Sequence, residues 1–473
     1  MKRLTLIIAL LCAACTRNPY PGIDTPIQNP NTDMDKDIIA YIDQRLVEEY
    51  YWLDEVEEKS YLFDREYSKW SDYLNSSLSK LTTNLDDGYV KSDGQRSFYS
   101  YISELSPSTR ATTSGFGILL HYTILVGNGD NNYYYFIIDH VYPDSPAAKA
   151  GIKRGDMITK VNDSFITSSN YASHFTAIQN NTKQSLKLKL KRQTTGDTLE
   201  KSISKATYDA SPVAHHELIE VEGKKIGYLA YTSFDNKYDE ELIAALGDLA
   251  SEGAEELVLD LRINRGGSVN SAAKLCAALM PAIKEGRTLC TLVRNPRNKK
   301  TQQATIFNLE GTGSVLSLDK LTVICSNYSA SASELVVMGL RGIDVPVTLI
   351  GSQTEGKNCG MDVTRVTIGS KYLEFAPITF MCLNAKGVGD WGEGIVPDVN
   401  LKEEANGVGV HDANYPMPRA DWGDERHDIA LATALAKITG KGVTMAATRS
   451  AVEEQATTLS LDCPVEGIRL YEE

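Results

Sequence analysis

A serine at the start of a helical pattern is the first residue of this sequence placed to do chemistry. Ser331 lies in the segment Asn-Tyr-Ser-Ala-Ser-Ala-Ser-Glu, residues 327–334, between a strand-like run and a helix-like run. At a helix start, a serine oxygen lies beside unpaired N–H groups and the positive end of the helix dipole, which stabilise developing negative charge. The position suits a nucleophile. Ser331 and Glu334 also match the Ser-x-x-Glu capping box, and the isolated motif favours that structural role.

A lysine in a short loop is a candidate base for this serine. Lys357 follows Gly356 in Gly-Ser-Gln-Thr-Glu-Gly-Lys-Asn, residues 351–358, directly after a strand-like run. A loop lysine is usually solvated, but full burial disfavours the ammonium form and can lower a lysine pKa by about 3–5 units. A neutral amine within hydrogen-bond reach is sufficient to activate a serine.

A pair of glycines supplies the third element of such a site. Gly266 and Gly267 end the segment Asp-Leu-Arg-Ile-Asn-Arg-Gly-Gly, residues 260–267, which begins as a buried strand. Glycines let the backbone turn its N–H groups toward a ligand, as an oxyanion hole requires, although a Gly-Gly pair alone is usually only a turn. A Ser/His/Asp triad is disfavoured, because His215 and His216 have no Gly-x-Ser-x-Gly elbow to meet.

Layered strands and helices are expected to position these three segments. Between residues 215 and 403, strand-like runs such as 257–261 and 321–325 alternate with helix-like runs such as 271–280 and 334–340. This alternation predicts a layered α/β domain.

Two other patterns precede the α/β region. Apolar residues recur every three or four positions from Ile38 to Leu46 and beyond, which predicts amphipathic helices, and an aromatic-rich stretch at 96–105 is interpreted as a further helix. The whole chain then divides into a leader at 1–15, a tether at 16–34, a helical domain at 35–110, a β-rich domain at 113–206, the α/β domain at 215–403, and a tail at 404–473 with one helix.

Residues 141–162 resemble a PDZ domain. Ser-Pro-Ala-Ala-Lys-Ala-Gly would form a short helix that Ser145 and Pro146 open and Gly151 closes, before a strand. The resemblance implies a carboxylate-binding loop at Gly115, Phe116, Gly117 and Ile118, with a peptide tail added as a strand beside it. Such a domain can also serve as a structural lid.

The complete order of motifs resembles the C-terminal processing peptidases, also called tail-specific proteases. It comprises the helical start, the PDZ-like domain, the three segments above and Gly-Glu-Gly-Ile-Val-Pro-Asp-Val at 392–399. The resemblance implies a multi-domain α/β fold, with a ClpP/crotonase-like α/β spiral core, an inserted PDZ domain and an N-terminal helical domain.

The same resemblance assigns roles to residues. It implies that Ser331 is the nucleophile and Lys357 the base of a Ser/Lys endopeptidase, and that Ala332 with Gly266 or Gly267 forms the oxyanion hole. The expected substrates are unfolded or flexible polypeptides, and no metal or organic cofactor is required.

The sequence departs from this family at the position that commonly orients the lysine. Many members have a glutamine four residues after it, where this chain has Met361, and some have an aspartate eleven residues after the serine, where it has Gly342. An inactive or weak peptide-binding scaffold of the same fold is therefore the alternative function. A crotonase-like acyl-thioester enzyme is a more distant one.

The N-terminus and the overall charge bear on location and partners. Lys2 and Arg3 precede an apolar run that ends in small residues before Cys15, which resembles a bacterial lipoprotein signal. We therefore expect export, lipidation at Cys15 and a place in the cell envelope, periplasmic or anchored to the outer membrane. The net charge of -14 disfavours a nucleic-acid partner.

Overall fold

The computed structural model describes thirteen stretches of the chain. These are residues 33–65, 69–90, 94–105, 113–128, 131–179, 181–284, 286–295, 297, 303–306, 314–401, 420–441, 456–460 and 468–471. The predicted leader with Cys15, and the predicted tether up to residue 32, lie outside them. No helix within the described stretches is both long enough and apolar enough to cross a bilayer.

Helices open the described chain, as the apolar spacing predicts. They are α1 (Met34–Glu49), α2 (Leu53–Lys59) and α3 (Trp70–Leu78). The Asp33 carboxylate accepts the N–H of Asp35 and so caps α1. Ile38, Ile42 and Leu46, spaced at three or four residues, are fully buried on one face of this helix.

The helix predicted at 96–105 is wrong, because this stretch forms strands. The local strands are β1 (Tyr89–Val90), β2 (Arg96–Ser97) and β3 (Tyr101–Glu104). β1 pairs with β2, and β3 pairs antiparallel with residues 371–376 at the edge of a larger sheet. Aromatic and β-branched residues suit a strand once a partner edge is available, and sequence spacing cannot reveal that edge.

A β-rich unit follows, and its elements match the PDZ-like pattern. They are β4 (Thr113–Gly115), β5 (Ile118–Asn128), β6 (Asn131–Val141), α4 (Pro146–Lys149), β7 (Asp156–Val161), β8 (Ser164–Phe165), α5 (Tyr171–Gln179), β9 (Ser185–Arg192), β10 (Thr198–Ser204) and β11 (Ala206–Tyr208). Ser145 caps α4 by accepting the N–H of Ala148. β4 pairs with β11 where the chain enters and leaves the unit, as expected of an inserted domain.

The α/β unit contains a mainly parallel sheet. Its elements are β12 (Val213–Val221), β13 (Lys224–Tyr231), α6 (Asp239–Ser251), β14 (Glu256–Asp260), α7 (Val269–Leu279), β15 (Thr288–Arg294), β16 (Gln303–Ile306), β17 (Leu321–Cys325), α8 (Ala332–Gly342), β18 (Val347–Gly351), β19 (Cys359–Ile368), β20 (Lys371–Ala376), β21 (Ile378–Asn384) and β22 (Val399–Asn400). The sheet order is β12-β13-β14-β17-β18-β22, and every pair from β13 to β22 is parallel.

The order of this sheet brings the three candidate segments together. β14, β17 and β18 are parallel neighbours, so their carboxyl ends lie at one edge of the sheet. The segment with Gly266 follows β14, the segment with Ser331 follows β17, and the segment with Lys357 follows β18. Ligand sites of open α/β sheets form at this edge.

A second sheet joins the N-terminal helices to the α/β unit. Its order is β16-β15-β21-β19-β20-β3, and the apolar faces of α1 and α3 pack on it in one buried cluster that includes Ile38, Tyr73, Met361 and Phe375. Three elements complete the described chain: α9 (Ile429–Thr439), β23 (Ala456–Ser460) beside β5, and β24 (Ile468–Tyr471) beside β19.

Candidate active site

Ser331 has a backbone conformation that few non-glycine residues adopt. It is the N-cap of α8 with φ 63° and ψ -113°. A positive φ strains an L-residue, and such strain persists where the surrounding structure enforces it, commonly at functional sites. A sharp strand-to-helix turn of this kind presents a serine oxygen away from the strand and helix that flank it.

The Ser331 oxygen is enclosed by protein. The residue is 0% exposed, and its Oγ has no hydrogen-bond partner among the described residues. Ser331 and Glu334 have the arrangement of a capping box, but only one of its two bonds has normal geometry, the Ser331 N–H donating to Glu334 Oε2 at 2.7 Å. The capping interpretation therefore accounts for the backbone of Ser331 and leaves its hydroxyl available.

Glu334 joins the serine segment to the lysine segment. Its Oε2 accepts the N–H groups of Ser331, at 2.7 Å, and Lys357, at 2.9 Å, so the two nitrogens lie no farther apart than the sum of these distances. Its Oε1 accepts the N–H of Gly356, at 2.8 Å, and the hydroxyl of Thr354, at 2.6 Å. Burial raises the pKa of Glu334 to about 7, and these four bonds oppose that rise.

Lys357 is buried beside an aromatic ring from the N-terminal unit. It is 0% exposed, and its Nζ lies 3.9 Å from the ring centroid of Tyr99. Burial raises the pKa values of Asp87, Glu355 and Cys359, and the positive charge of Lys357 opposes the rise at each of them. The lysine therefore lies in an enclosed environment with acidic groups nearby, so burial disfavours its ammonium form while the acidic groups favour it.

The glycine segment packs directly against the serine. A Cβ built on Gly266 would lie 2.7 Å from the Cβ of Ser331 and 3.0 Å from the nitrogen of Ala332. The Gly266 N–H donates to Asn264 Oδ1 at 2.9 Å. The N–H groups of Gly267 and Ala332 donate no hydrogen bond to any other described residue, whereas that of Gly266 is already bonded.

Sequence comparison identifies the two modules. Residues 225–401 match peptidase family S41, and residues 137–192 match a PDZ domain. The chain carries an S41 peptidase domain and a PDZ domain. Both agree with the family and the fold class predicted from the motifs.

Two curated relatives match the chain at low identity. Carboxyl-terminal-processing peptidase 1 of Arabidopsis thaliana is 28% identical over 269 residues, 56% of this chain and 52% of that protein. The carboxyl-terminal-processing protease of Picosynechococcus sp. is 25% identical over 320 residues, 67% of this chain and 70% of that protein. The match thus spans about half the length of the plant relative and somewhat more than two thirds of the cyanobacterial one.

A solved structure shares the fold. An S41 protease candidate from Bacteroides fragilis superposes with a TM-score of 0.64 at 24% identity, covering 88% of this chain and 99% of that one. This likeness extends beyond the S41 domain, which spans residues 225–401 alone.

The two departures from the family pattern lie in structural positions of the S41 domain. Met361 is fully buried in the apolar cluster beneath the N-terminal helices, where a polar side chain would be costly. A Cβ on Gly342 would lie 2.9 Å from the Cβ of Asn384. Asp344, two residues later, forms an exposed ion pair with Lys386 at 2.6 Å.

The predicted carboxylate-binding loop of the PDZ domain is folded against a neighbouring side chain. The N–H of Phe116 donates to Asn181 Oδ1 at 3.0 Å, and a Cβ on Gly115 would lie 2.4 Å from the same oxygen. Gly117, with φ 76°, lies against Ser145, and Ile118 begins β5. The edge of β5 is already paired with β23, which runs antiparallel to it.

A buried ionic network connects the PDZ domain to the S41 domain. Asp428, the N-cap of α9, lies 3.8 Å from Arg154 of the PDZ domain and 2.8 Å from Arg262 of the S41 domain. Arg262 also pairs with Asp260 at 2.5 Å. All four side chains are buried, and Arg262 precedes the glycine pair by four residues. Local motifs give no sign of this network, because its members are far apart in the chain.

Proposed function

We propose that this chain is a serine endopeptidase of the C-terminal processing type, with Ser331 as nucleophile and Lys357 as general base. The observation that carries the proposal is Glu334, which holds the strained turn of Ser331 and the buried segment of Lys357 together. A hydroxyl and an amine held in one water-poor site are the parts that Ser/Lys catalysis requires.

The reaction proceeds through an acyl-enzyme. The Ser331 oxygen attacks the scissile carbonyl carbon while its proton passes to the amine of Lys357. The negative oxygen of the tetrahedral intermediate accepts hydrogen bonds from the N–H groups of Ala332 and Gly267. Collapse of the intermediate breaks the C–N bond, and the ammonium of Lys357 returns the proton to the leaving amine. Water, deprotonated by Lys357, then attacks the ester carbonyl; the bond between the acyl carbon and the Ser331 oxygen breaks, and the ammonium of Lys357 returns the proton to that oxygen.

The proposed substrates are unfolded or flexible polypeptides. A PDZ domain accommodates an extended peptide as an added strand, here along β5 beside the loop of Gly115 to Ile118. Since β23 is paired with that edge, a substrate tail must exchange with the chain's own C-terminal part. The names of the two relatives, which describe carboxyl-terminal processing, support this substrate class.

The proposed location is the cell envelope. Lipidation at Cys15 after export would attach the chain to a membrane through its N-terminus, and the tether at 16–34 would separate the described domains from it. For the domain boundaries we propose 35–110 for the N-terminal helical domain, 113–206 for the PDZ domain and 215–403 for the peptidase core.

Hydrolysis of an unfolded protein tests the proposal. The wild-type chain should degrade casein, and Ser331→Ala should abolish this activity, because the acyl-enzyme ester forms on the Ser331 oxygen. Ser251→Ala, the same change at an exposed helix end, is the matched control and should leave the rate unchanged. Absence of casein hydrolysis in both the wild type and Ser331→Ala would instead support the peptide-binding scaffold, and equal activity in both would rule out Ser331 as the nucleophile.

A further inference from the structure

We propose that Tyr99 of the N-terminal unit is the positioning residue for Lys357, in place of the family's glutamine. This inference rests on the proposed function. Met361, at the glutamine position, is buried among apolar side chains and cannot form a comparable hydrogen bond. The ring of Tyr99 supplies a face to the same amine from a part of the chain 258 positions earlier.

The contact has the geometry of a cation–π interaction. The Nζ of Lys357 lies 3.9 Å from the ring centroid of Tyr99, and both side chains are buried. The Tyr99 hydroxyl donates to Glu355 Oε1 at 3.4 Å, two residues before the lysine. A buried ring face attracts an ammonium group more strongly than an exposed one does, because water no longer competes for the charge.

The backbone of Tyr99 is held in place by a buried carboxylate. Asp87, which is 0% exposed, accepts the N–H groups of Tyr99, at 3.1 Å, and Ser100, at 2.9 Å. The other oxygen of Asp87 accepts the hydroxyls of Ser100 and Tyr50, each at 2.7 Å. The Ser100 hydroxyl in turn accepts the N–H of Ile378 at 2.9 Å, which ties this segment to the second sheet. The backbone that carries the ring is therefore tied to both the buried carboxylate and the second sheet.

The ring acts when the lysine becomes charged. The amine accepts the Ser331 proton as the ester forms, and the π face of Tyr99 stabilises the ammonium that results. The titratable groups that surround Lys357 are Asp87 and Tyr99 from the N-terminal unit, Glu355 and Cys359 on its own segment, and Glu334 from α8. Among these groups, Tyr99 is the one that presents an aromatic ring face to the amine, with its ring centroid 3.9 Å from Nζ.

Three variants at position 99 of the full chain test this role through peptide hydrolysis: Tyr99→Phe, Tyr99→Leu and a pentafluorophenylalanine variant. Tyr99→Phe keeps the ring face and should retain kcat within about threefold of wild type. Tyr99→Leu removes the face and should lower kcat roughly tenfold or more with little change in KM. Its acid limb in the kcat–pH profile should move to lower pH, because the ammonium has lost a stabilising contact.

Pentafluorophenylalanine at position 99 keeps the shape of phenylalanine but reverses the charge distribution of the ring face. It should reproduce the loss seen in Tyr99→Leu, and it does so without a cavity, so a folding defect in the leucine variant leaves the test intact. Tyr89→Leu, which removes a ring 6.0 Å from that of Tyr99, is the matched control and should leave the pH profile unchanged.

The outcomes separate this inference from the proposed function. Wild-type kcat and an unshifted profile in the fluorinated variant would overturn the role of Tyr99 while Ser331→Ala remained inactive. A change confined to KM would also overturn it. Activity that survived Ser331→Ala would instead overturn the proposed function itself.

Discussion

Adding one methyl group at Gly266 tests the geometry of the site at its most crowded point. The Cβ of Gly266→Ala would lie 2.7 Å from the Cβ of Ser331, 2.9 Å from the carbonyl oxygen of Ala330 and 3.0 Å from the nitrogen of Ala332. Two of these neighbours are backbone atoms, and the third is the Cβ of the proposed nucleophile. The clash cannot be relieved by a side-chain rotation.

The expected cost follows from two terms. Gly266 has φ 100°, and holding an L-residue in such a region costs about 1–3 kcal/mol. Overpacking of a buried site adds roughly 1–3 kcal/mol. The free energy of unfolding should therefore fall by about 2–6 kcal/mol. Displacing the N–H of Ala332 or Gly267 should also lower kcat by roughly 10²–10³-fold.

The measurements are urea unfolding and peptide hydrolysis at saturating substrate. Gly247→Ala is the matched control, since Gly247 lies inside α6 with no atom within 4 Å of the added methyl. That change should stabilise the protein by about 0.5–1 kcal/mol through helix propensity and leave kcat unaltered. If Gly266→Ala kept both wild-type stability and wild-type kcat, the packing of the glycine segment against Ser331 would be refuted.

Two further predictions concern buried charges. Burial raises the pKa of Glu334 from 4.5 to about 7, so between these values the folded protein keeps a proton that the unfolded chain has lost. The contribution of this proton to the free energy of unfolding is on the order of 3 kcal/mol; it is complete below pH 4.5 and is lost as the pH rises to about 7. Glu334→Gln should lack this pH dependence in urea unfolding. Identical pH dependence in both proteins would contradict the assignment. Asp428→Ala leaves the buried guanidinium groups of Arg154 and Arg262 without their shared carboxylate and should lower the free energy of unfolding by about 3–5 kcal/mol. Lys441→Ala, which breaks an exposed ion pair, should cost under about 1 kcal/mol, and equal losses in the two variants would argue against the network.

Much of the site could be predicted because its parts are local. The segments of Ser331, Lys357 and Gly266 each follow a strand, and parallel strands place the segments that follow them at one edge. The PDZ-like helix could be predicted from Ser145 and Pro146, because a serine N-cap followed by a proline is a typical helix start.

The parts that could not be predicted depend on docking between distant segments. Tyr99 reaches Lys357 only because the N-terminal unit packs on the second sheet, and no spacing in the sequence encodes that contact. The sequence predicts Glu334 only as a capping carboxylate, whereas its bonds to Gly356 and Lys357 come from the loop that follows β18. One feature of the sequence indicates a buried role for Glu334: the helix residues that follow it are mainly apolar. In the structure Glu334 is fully buried.

Site-resolved labelling with a fluorophosphonate tests the central claim most directly. The reagent forms a bond only with an activated nucleophile, so mass spectrometry of the digested wild-type protein should find the adduct on Ser331. Lys357→Met, which fills the same buried space without an amine, should abolish that adduct while the protein unfolds as cooperatively as wild type. An adduct on another residue, or undiminished labelling of Ser331 in Lys357→Met, would contradict a Ser/Lys pair.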